Sequence, residues 1–262
     1  MNRIPLIDAD SIIYRAGFAA DSQIKKELFG TSKGLDPEKV REGLATVDYV
    51  EIALGNCKAV MQDIVLHRFG EACGYKSYLT GKHNFREQLA TIKPYKGNRD
   101  PNAKPKYYAE LKEYLIDHWK SIVIDDMEAD DAVGIEQYAH KDQSTCIVSI
   151  DKDLDTIPGW HYNWVKGLFY YVTLQQANNN FLGQMLEGDT TDNIPGITGI
   201  GTKTIEKLLA SCDNDTVQFN HKVIQLYKQQ YGLDWLAAYN EVASLLWILR
   251  DKDKPCPFMI GV

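Results

Sequence analysis

The stretch IPLIDADSIIYRAG, residues 4–17, sets the fold. Ile4 to Asp8 is a short apolar run closed by acid, the pattern of a buried strand that ends at a polar surface. SIIYRAG follows as the start of a helix, with Ser11 placed to cap it. TCIVSIDKDLD, residues 145–155, repeats the arrangement: an apolar run, then acid. Further strands are predicted at 63–70 (DIVLHRFG), 121–125 and 169–173. Helices are predicted over 37–55, 107–119, 128–141, 174–186, 217–231 and 233–250, with a loop at 20–36. Short strands alternating with helices predict an α/β protein with a central, mostly parallel sheet flanked by helices. The C-terminal quarter reads as all-helical. The division expected is a core over 1–185, with a basic excursion at 82–106, and a helical region over 186–262 packed with it as one continuous unit.

Composition narrows the classes. Hydrophobic residues make up 44% of the 262, enough for a real core. No run of 18 apolar residues is present, so no membrane partner is expected. Charge enters too early for a signal peptide, and five cysteines lack zinc-like spacing, so a reduced, cytoplasmic protein is the simplest expectation. With no coiled-coil pattern, a monomer is expected. The net charge of −7 argues against a nucleic-acid partner when averaged over the surface. It is not evenly spread: residues 82–106 carry seven Lys or Arg against two acids.

The acids fall into four groups: Asp8 with Asp10; Glu128 with Asp130 and Asp131; Asp151 with Asp153 and Asp155; and Asp189 with Asp192. The first and third follow strand candidates, where open α/β sheets collect ligands. Asp8 and Asp151 should therefore point into one region. Glu128 and Asp131, three apart, share a helical face, and Asp189 and Asp192 converge if locally helical. Carboxylates crowded into one crevice repel, and divalent cations relieve the repulsion. Oxygen-only donors suit Mg²⁺ or Mn²⁺. Two such ions about 4 Å apart can hold a phosphodiester and activate water. The plain alternative is that these acids cap helices or lie in solvated loops. A calcium loop starting at Asp151 fits poorly, since Thr156 and Tyr162 stand where Gly and Glu belong.

The segment GDTTDNIPGITGIGTKTIEKLL, residues 188–209, joins the last acidic pair to a glycine-rich turn. Gly199 and Gly201 predict a tight turn between two short helices, Thr202 a cap, and Lys203 and Lys207 one basic helical face. Such a turn can receive a phosphate on backbone amides without reading bases. A structural hairpin without ligand is the alternative. Between 82 and 106, Arg86, Lys93, Lys96 and Arg99 interleave with Phe85 and Tyr95, as in a single-strand path. A plain surface loop is the alternative there.

These residues resemble the 5′ nuclease family, which includes flap endonucleases, the 5′ nuclease domains of bacterial DNA polymerases and phage 5′→3′ exonucleases. The resemblance covers about residues 4–250. IDADSIIYRAG resembles the N-terminal aspartate motif, EADD and SIDKDLD the central acidic motifs, and FREQLATIKPYKGNR the basic segment leading into a helical arch. GDTTDNIPGITGIGTKTIEKLL resembles the last acidic pair with its helix–three-turn–helix element. The resemblance implies two-metal hydrolysis of DNA leaving 5′ phosphates. Asp8, Glu128 and Asp130 would serve the first ion, Asp131 would lie between the sites, and Asp151, Asp153, Asp189 and Asp192 would serve the second. Two Mg²⁺ are implied, with Mn²⁺ able to substitute, and one K⁺ on backbone carbonyls around Ile194, Ile197 and Ile200. Arg86 and Lys96 match residues that contact the reacting phosphate. Implied partners are DNA with a free 5′ end, a 5′ flap or a branched junction. A phage or stand-alone bacterial enzyme is implied, working in the cytoplasm of a bacterium or phage-infected host.

One position departs from the pattern. Members usually carry an aspartate after the second strand, and YLTGKHNFR places Gly81 nearest to it. The leading expectation is a metal-dependent 5′→3′ exonuclease and flap endonuclease. An enzyme removing RNA primers from RNA–DNA hybrids and a non-catalytic branched-DNA binder are the alternatives.

Overall fold

The computed structural model describes residues 3–70, 73–100, 103–140 and 142–261. Residues 101 and 102 of the basic segment, and the end of the predicted helix at 141, lie outside the described residues. Strand β1 (Ile4–Asp8) is central in a six-stranded sheet. On one side it pairs in parallel with β2 (Lys76–Thr80), which pairs in parallel with β3 (Ile122–Ile124). On the other it pairs in parallel with β4 (Thr145–Val148), then β5 (Gly159–Asn163), and antiparallel β6 (Leu168–Val172) closes the edge. Because β1 and β4 are adjacent and parallel, the acids that follow them leave the sheet at the same end.

Helix α1 (Ala9–Phe29) runs well past its expected end and stops at Gly30, which takes the left-handed conformation at φ 72°. Ala16, Ala20 and Ile24 are buried on it, so the segment read as a loop is an amphipathic helix. The helix expected over 37–55 is two: α2 (Pro37–Ala45) and α3 (Val50–Gln62). The strand expected at 63–70 is a π-helical extension of α3 (Asp63–Phe69), where Ile64, Val65 and Phe69 are buried. A short apolar run suits either element, and the Asp63 N–H here continues the helical ladder to Ala59 and Val60. Helices α4 (Arg86–Leu89), α5 (Tyr108–Trp119) and α6 (Ala129–Ala139) follow. β5, which was not foreseen, is sandwiched between β4 and β6.

One apolar cluster packs α1, α3 and α5 on one sheet face, and a smaller one packs α6 on the other. A third joins α7 (Leu174–Glu187), α9 (Thr216–Tyr231) and α10 (Trp235–Leu246). It begins at Phe181, so a boundary at 185 falls within α7. Between α7 and α9 lie the two-residue strands β7 (Gly188–Asp189) and β8 (Ile194–Pro195) and the helix α8 (Thr202–Ala210). Of the arch implied for 82–106, the described residues hold one turn of helix, α4; Pro94, Gly97 and Pro105 follow in a chain of turns. Among the described residues, no helix is long and apolar enough to cross a membrane.

Candidate active site

Asp8 ends β1 and caps α1, accepting the Ser11 N–H at 3.4 Å. Its second oxygen accepts the Ser149 hydroxyl at 2.7 Å, from the turn after β4. Asp151 caps the 3₁₀ turn Lys152–Thr156 by accepting the Asp153 N–H at 2.9 Å. The Asp153 carboxylate accepts Gln184 Nε2 at 2.6 Å, which ties it to α7. Glu128 caps α6 and Asp130 lies in its first turn. Asp189 and Asp192 are not helical. The hairpin between β7 and β8 presents them, with Asp189 accepting the Thr191 and Asp192 N–H groups at 2.7 and 3.2 Å.

Two adjoining pockets, of ≈ 600 and ≈ 450 Å³, share Lys96, Arg99, Glu128, Asp130 and Asp151 as a common wall. Asp8 and Asp10 line the first; Asp153, Asp189 and Asp192 line the second. Burial, then repulsion from Asp10, pushes the Asp8 carboxyl up to about 7, despite the Ser149 hydroxyl. Burial, then Asp151, pushes Asp153 up to about 7. Asp130 is raised well above the ordinary carboxylate range by burial and then by Asp8. Asp10 and Asp151 are raised mainly by burial. Crowded, desolvated carboxylates that repel in this way are the environment a divalent cation relieves.

The donor set is all oxygen, which suits Mg²⁺ or Mn²⁺. It is not drawn tight: among the described residues, no three His, Cys, Asp or Glu side chains are gathered closely enough to hold an ion as they stand. Basic side chains take the positive role instead. Lys96 Nζ pairs with Glu128 and lies 3.7 Å from Asp192, and Arg99 pairs with Asp192. The Tyr95 hydroxyl donates to Asp192 at 2.8 Å. The Lys96 N–H reaches the Asp192 carbonyl at 2.9 Å, from a backbone at φ 56°, and Asn98 reaches Thr190 at 2.6 Å.

The segment expected to be an exposed excursion is therefore strapped across the acidic hairpin. Tyr95, expected to stack on bases, is half-buried with its hydroxyl on two carboxylates. Lys93 stays exposed. The carbonyls and carboxylates of 189–193 offer the acceptors that the strap's donors lack in a free loop.

Arg86 and Asp131 lie apart from both pockets. They pair in the interior at 2.6 and 2.8 Å, with side-chain exposures of 3% and 0%. Arg86 also donates to the Leu245 and Trp247 carbonyls at 2.9 and 2.7 Å. Asp131 also accepts the Glu128 and Leu249 N–H groups at 3.1 and 2.9 Å. This corrects the expectation of Asp131 as a ligand between the two ions and of Arg86 on the phosphate: each side chain is spent on the other. Burial disfavours the Arg86 charge, and the Asp131 carboxylate more than compensates, holding it protonated.

Thr202 does not cap α8. Gly201 holds the cap position, and the Thr202 hydroxyl donates to Glu187 at 2.8 Å. Nor does a second short helix precede the turn, since β7 and β8 stand there. Gly199 turns the chain at φ 77°, and Lys203 and Lys207 are exposed on α8. The Ile197 carbonyl accepts the Ile200 N–H at 3.1 Å within the turn, one residue from the Thr198 N–H held by Gln230 at 2.7 Å. Ile194 is buried in β8.

Comparison with known structures fits this architecture. A bacteriophage T5 protein co-crystallised with metal ions matches 93% of this chain and 89% of its own, at TM-score 0.56 and 17% identity. A complex of the phage T5 flap endonuclease with DNA and metal ions matches 92% and 87%, at 0.54 and 16%. In sequence, the exodeoxyribonuclease of Enterobacteria phage T3 is 33% identical over 128 residues, 47% of this chain and 42% of that protein. The chain thus shares its fold with the T5 structures and part of its sequence with a phage exodeoxyribonuclease.

The chain is also 32% identical to the exonuclease of Escherichia phage T7 over 128 residues, again 42% of the relative. The matched stretch thus spans under half the length of either phage relative. DNA polymerase I of Streptococcus pneumoniae is 26% identical over 99% of the chain and 29% of its own length. No protein-family model matches.

Three residues of the site went unassigned in the sequence. Ser149 and Gln184 hold Asp8 and Asp153, and nothing local marks them out. Asp10 was grouped with Asp8 but given no role, yet it lines the first pocket. Its signal was in plain view: a second acid two residues beyond the strand end.

Proposed function

We propose that this chain is a divalent-metal-dependent 5′→3′ exonuclease and structure-specific flap endonuclease that hydrolyses DNA and leaves 5′ phosphates. The observation that carries the reading is the shared wall of the two pockets, which brings acids from β1, α6, the turn after β4 and the β7–β8 hairpin to one cleft. Asp8, Glu128 and Asp130 would hold one Mg²⁺ or Mn²⁺, and Asp151, Asp153, Asp189 and Asp192 a second. Ions bound there supply charge neutralisation at the phosphodiester and a more acidic water. Lys96 and Arg99, which balance Glu128 and Asp192 here, are the side chains placed to turn to a phosphate once those carboxylates are otherwise neutralised. Gln184 and Ser149 hold their carboxylates in orientation. Among the described residues, His83 is the histidine that lines either pocket, and it lies outside their shared acidic wall.

The DNA duplex would lie along the turn at Gly199 and Gly201 and the exposed Lys203 and Lys207, the helix–three-turn–helix role, with K⁺ on the carbonyls of Ile194, Ile197 and Ile200. Lys93 and Arg99 would track the single strand. The test is a product map on a 3′-labelled DNA flap with Mg²⁺, Mn²⁺ or EDTA, beside Asp192→Ala and a matched RNA 5′ strand. Metal-dependent cuts near the junction, lost in Asp192→Ala, are expected. Tight binding without cleavage in either metal would replace the nuclease with a branched-DNA binder.

A further inference from the structure

Asp10 stands in the first turn of α1, two residues beyond the end of β1. Its Oδ2 accepts the Thr80 N–H at 3.0 Å, at the end of the neighbouring strand β2. Its Oδ1 is buried and has no hydrogen-bond partner. Lys112, a cation lining the same pocket, is committed elsewhere: its Nζ donates to the Thr80 carbonyl at 2.6 Å. A buried carboxylate oxygen left without a donor costs more than a neutral acceptor would. A purely structural Asp10 needs only the oxygen that meets Thr80. Asp10 as a residue lines the pocket together with Asp8, Glu128 and Asp130.

Gly81, which lines the same pocket at the end of β2, is closed to a side chain of its own. A Cβ on Gly81 would meet Asp125 Oδ1 at 2.1 Å and the Ile124 carbonyl at 2.7 Å. Those contacts are fixed, because Asp125 accepts the Lys82 N–H at 2.7 Å and the Gly81 N–H donates to the Ile124 carbonyl at 2.7 Å. Position 81 cannot carry a side chain without displacing Asp125 and the end of β3. Asp10 reaches the same place from α1, hydrogen-bonded to the residue just before Gly81.

We infer that Asp10 is a further carboxylate for the divalent cation beside Asp8, Glu128 and Asp130, supplying from α1 the charge that Gly81 cannot. The inference rests on the metal-dependent reading above. An added carboxylate raises the site's negative charge and gives the orphaned Oδ1 a partner.

The test is Mn²⁺ binding to the full chain without DNA, followed by electron paramagnetic resonance and calorimetry. Asp10→Asn keeps an acceptor for the Thr80 N–H and removes the charge. Asp10→Ser keeps an acceptor too, and carries the test if the first variant does not fold. Glu136→Gln, at the surface pair with Lys76, controls for net charge. The wild type should bind Mn²⁺, either Asp10 variant should bind one ion about tenfold or more weakly, and Glu136→Gln should match the wild type. Folded Asp10 variants with wild-type Mn²⁺ affinity would make Asp10 a structural residue and overturn the inference. A wild type that binds no Mn²⁺ would overturn the metal-dependent reading itself, and the inference with it.

Discussion

Asp130 and Asp131 are consecutive residues of α6, and they belong to opposite regimes of electrostatics. Asp130 faces the cleft, and among the described residues no donor bonds its carboxylate; burial and Asp8 raise it far above its ordinary range. Asp131 is fully buried, and its oxygens accept both Arg86 terminal nitrogens and two backbone N–H groups. One carboxylate is left short of partners and the other is saturated. The saturated pair also joins α4 to the last turn of α10 and the residue that follows it, through the Leu245 and Trp247 carbonyls. The interior knot ties α4, α6 and the end of α10 together, while in the cleft Asp130 is left without a donor among the described residues. Unpaired charge marks where a ligand belongs, and saturated charge marks where the fold is held.

Substitution separates the two. Asp130→Asn should lower flap cleavage about a hundredfold or more, the scale for losing one group that stabilises developing charge. Its unfolding midpoint without metal should not fall, because the change removes a repelled, buried charge. Asp131→Ala should lose cleavage through the fold instead. It leaves Arg86 charged and buried, a loss of about 3–5 kcal/mol. Denaturant melts of both variants beside flap assays decide the matter. Equal destabilisation by the two changes would dissolve the distinction.

The comparison also shows what could be read in the sequence. Asp8 and Asp151 were legible because each closes an apolar run, and adjacent parallel strands bring such ends together. The family resemblance reached the same acids by motif. Which of two neighbouring helical acids turns to the cleft was not legible. It depends on Arg86, 45 residues before Asp131, and on carbonyls about 160 positions from Arg86. The π-helical run at Asp63–Phe69 failed for a local reason: four apolar residues in seven satisfy a strand as well as a helix. The basic segment failed for a distant one, since its composition suits a free loop and the hydrogen-bond partners that hold it, acceptor and donor alike, come from the β7–β8 hairpin.

The cleft acids also couple folding to pH. Asp8 and Asp153 sit at about 7 in the folded chain, against about 3.9 for a free Asp. Between those values the folded chain keeps protons that the unfolded chain has lost. The stability they contribute is full at acid pH and is lost as pH rises through about 7. Bound Mg²⁺ competes with the same protons. Its stabilisation, about 2.7 kcal/mol at a concentration 100 times Kd, should therefore be large at pH 8 and small at pH 5. Thermal melts with Mg²⁺ or EDTA across that range test it. An equal Mg²⁺ shift at both ends would mean that the cleft acids are not the ligands.

The smallest effect lies farthest from both charged regions. Lys203 and Lys207 are exposed on α8, four residues apart on one face, and pair with no carboxylate among the described residues. If they meet only phosphates, Lys203→Ala with Lys207→Ala should leave the unfolding midpoint and Mn²⁺ binding unchanged. Affinity for a DNA duplex end should weaken, and the slope of log affinity against log salt should become shallower by about 1.8, roughly 0.9 for each lost phosphate contact. The salt slope is the readout that matters, because a general loss of folding would weaken binding without selectively removing two counterions. An unchanged slope would take the duplex off α8 and leave the strapped segment at Lys93 and Arg99 as the principal phosphate path.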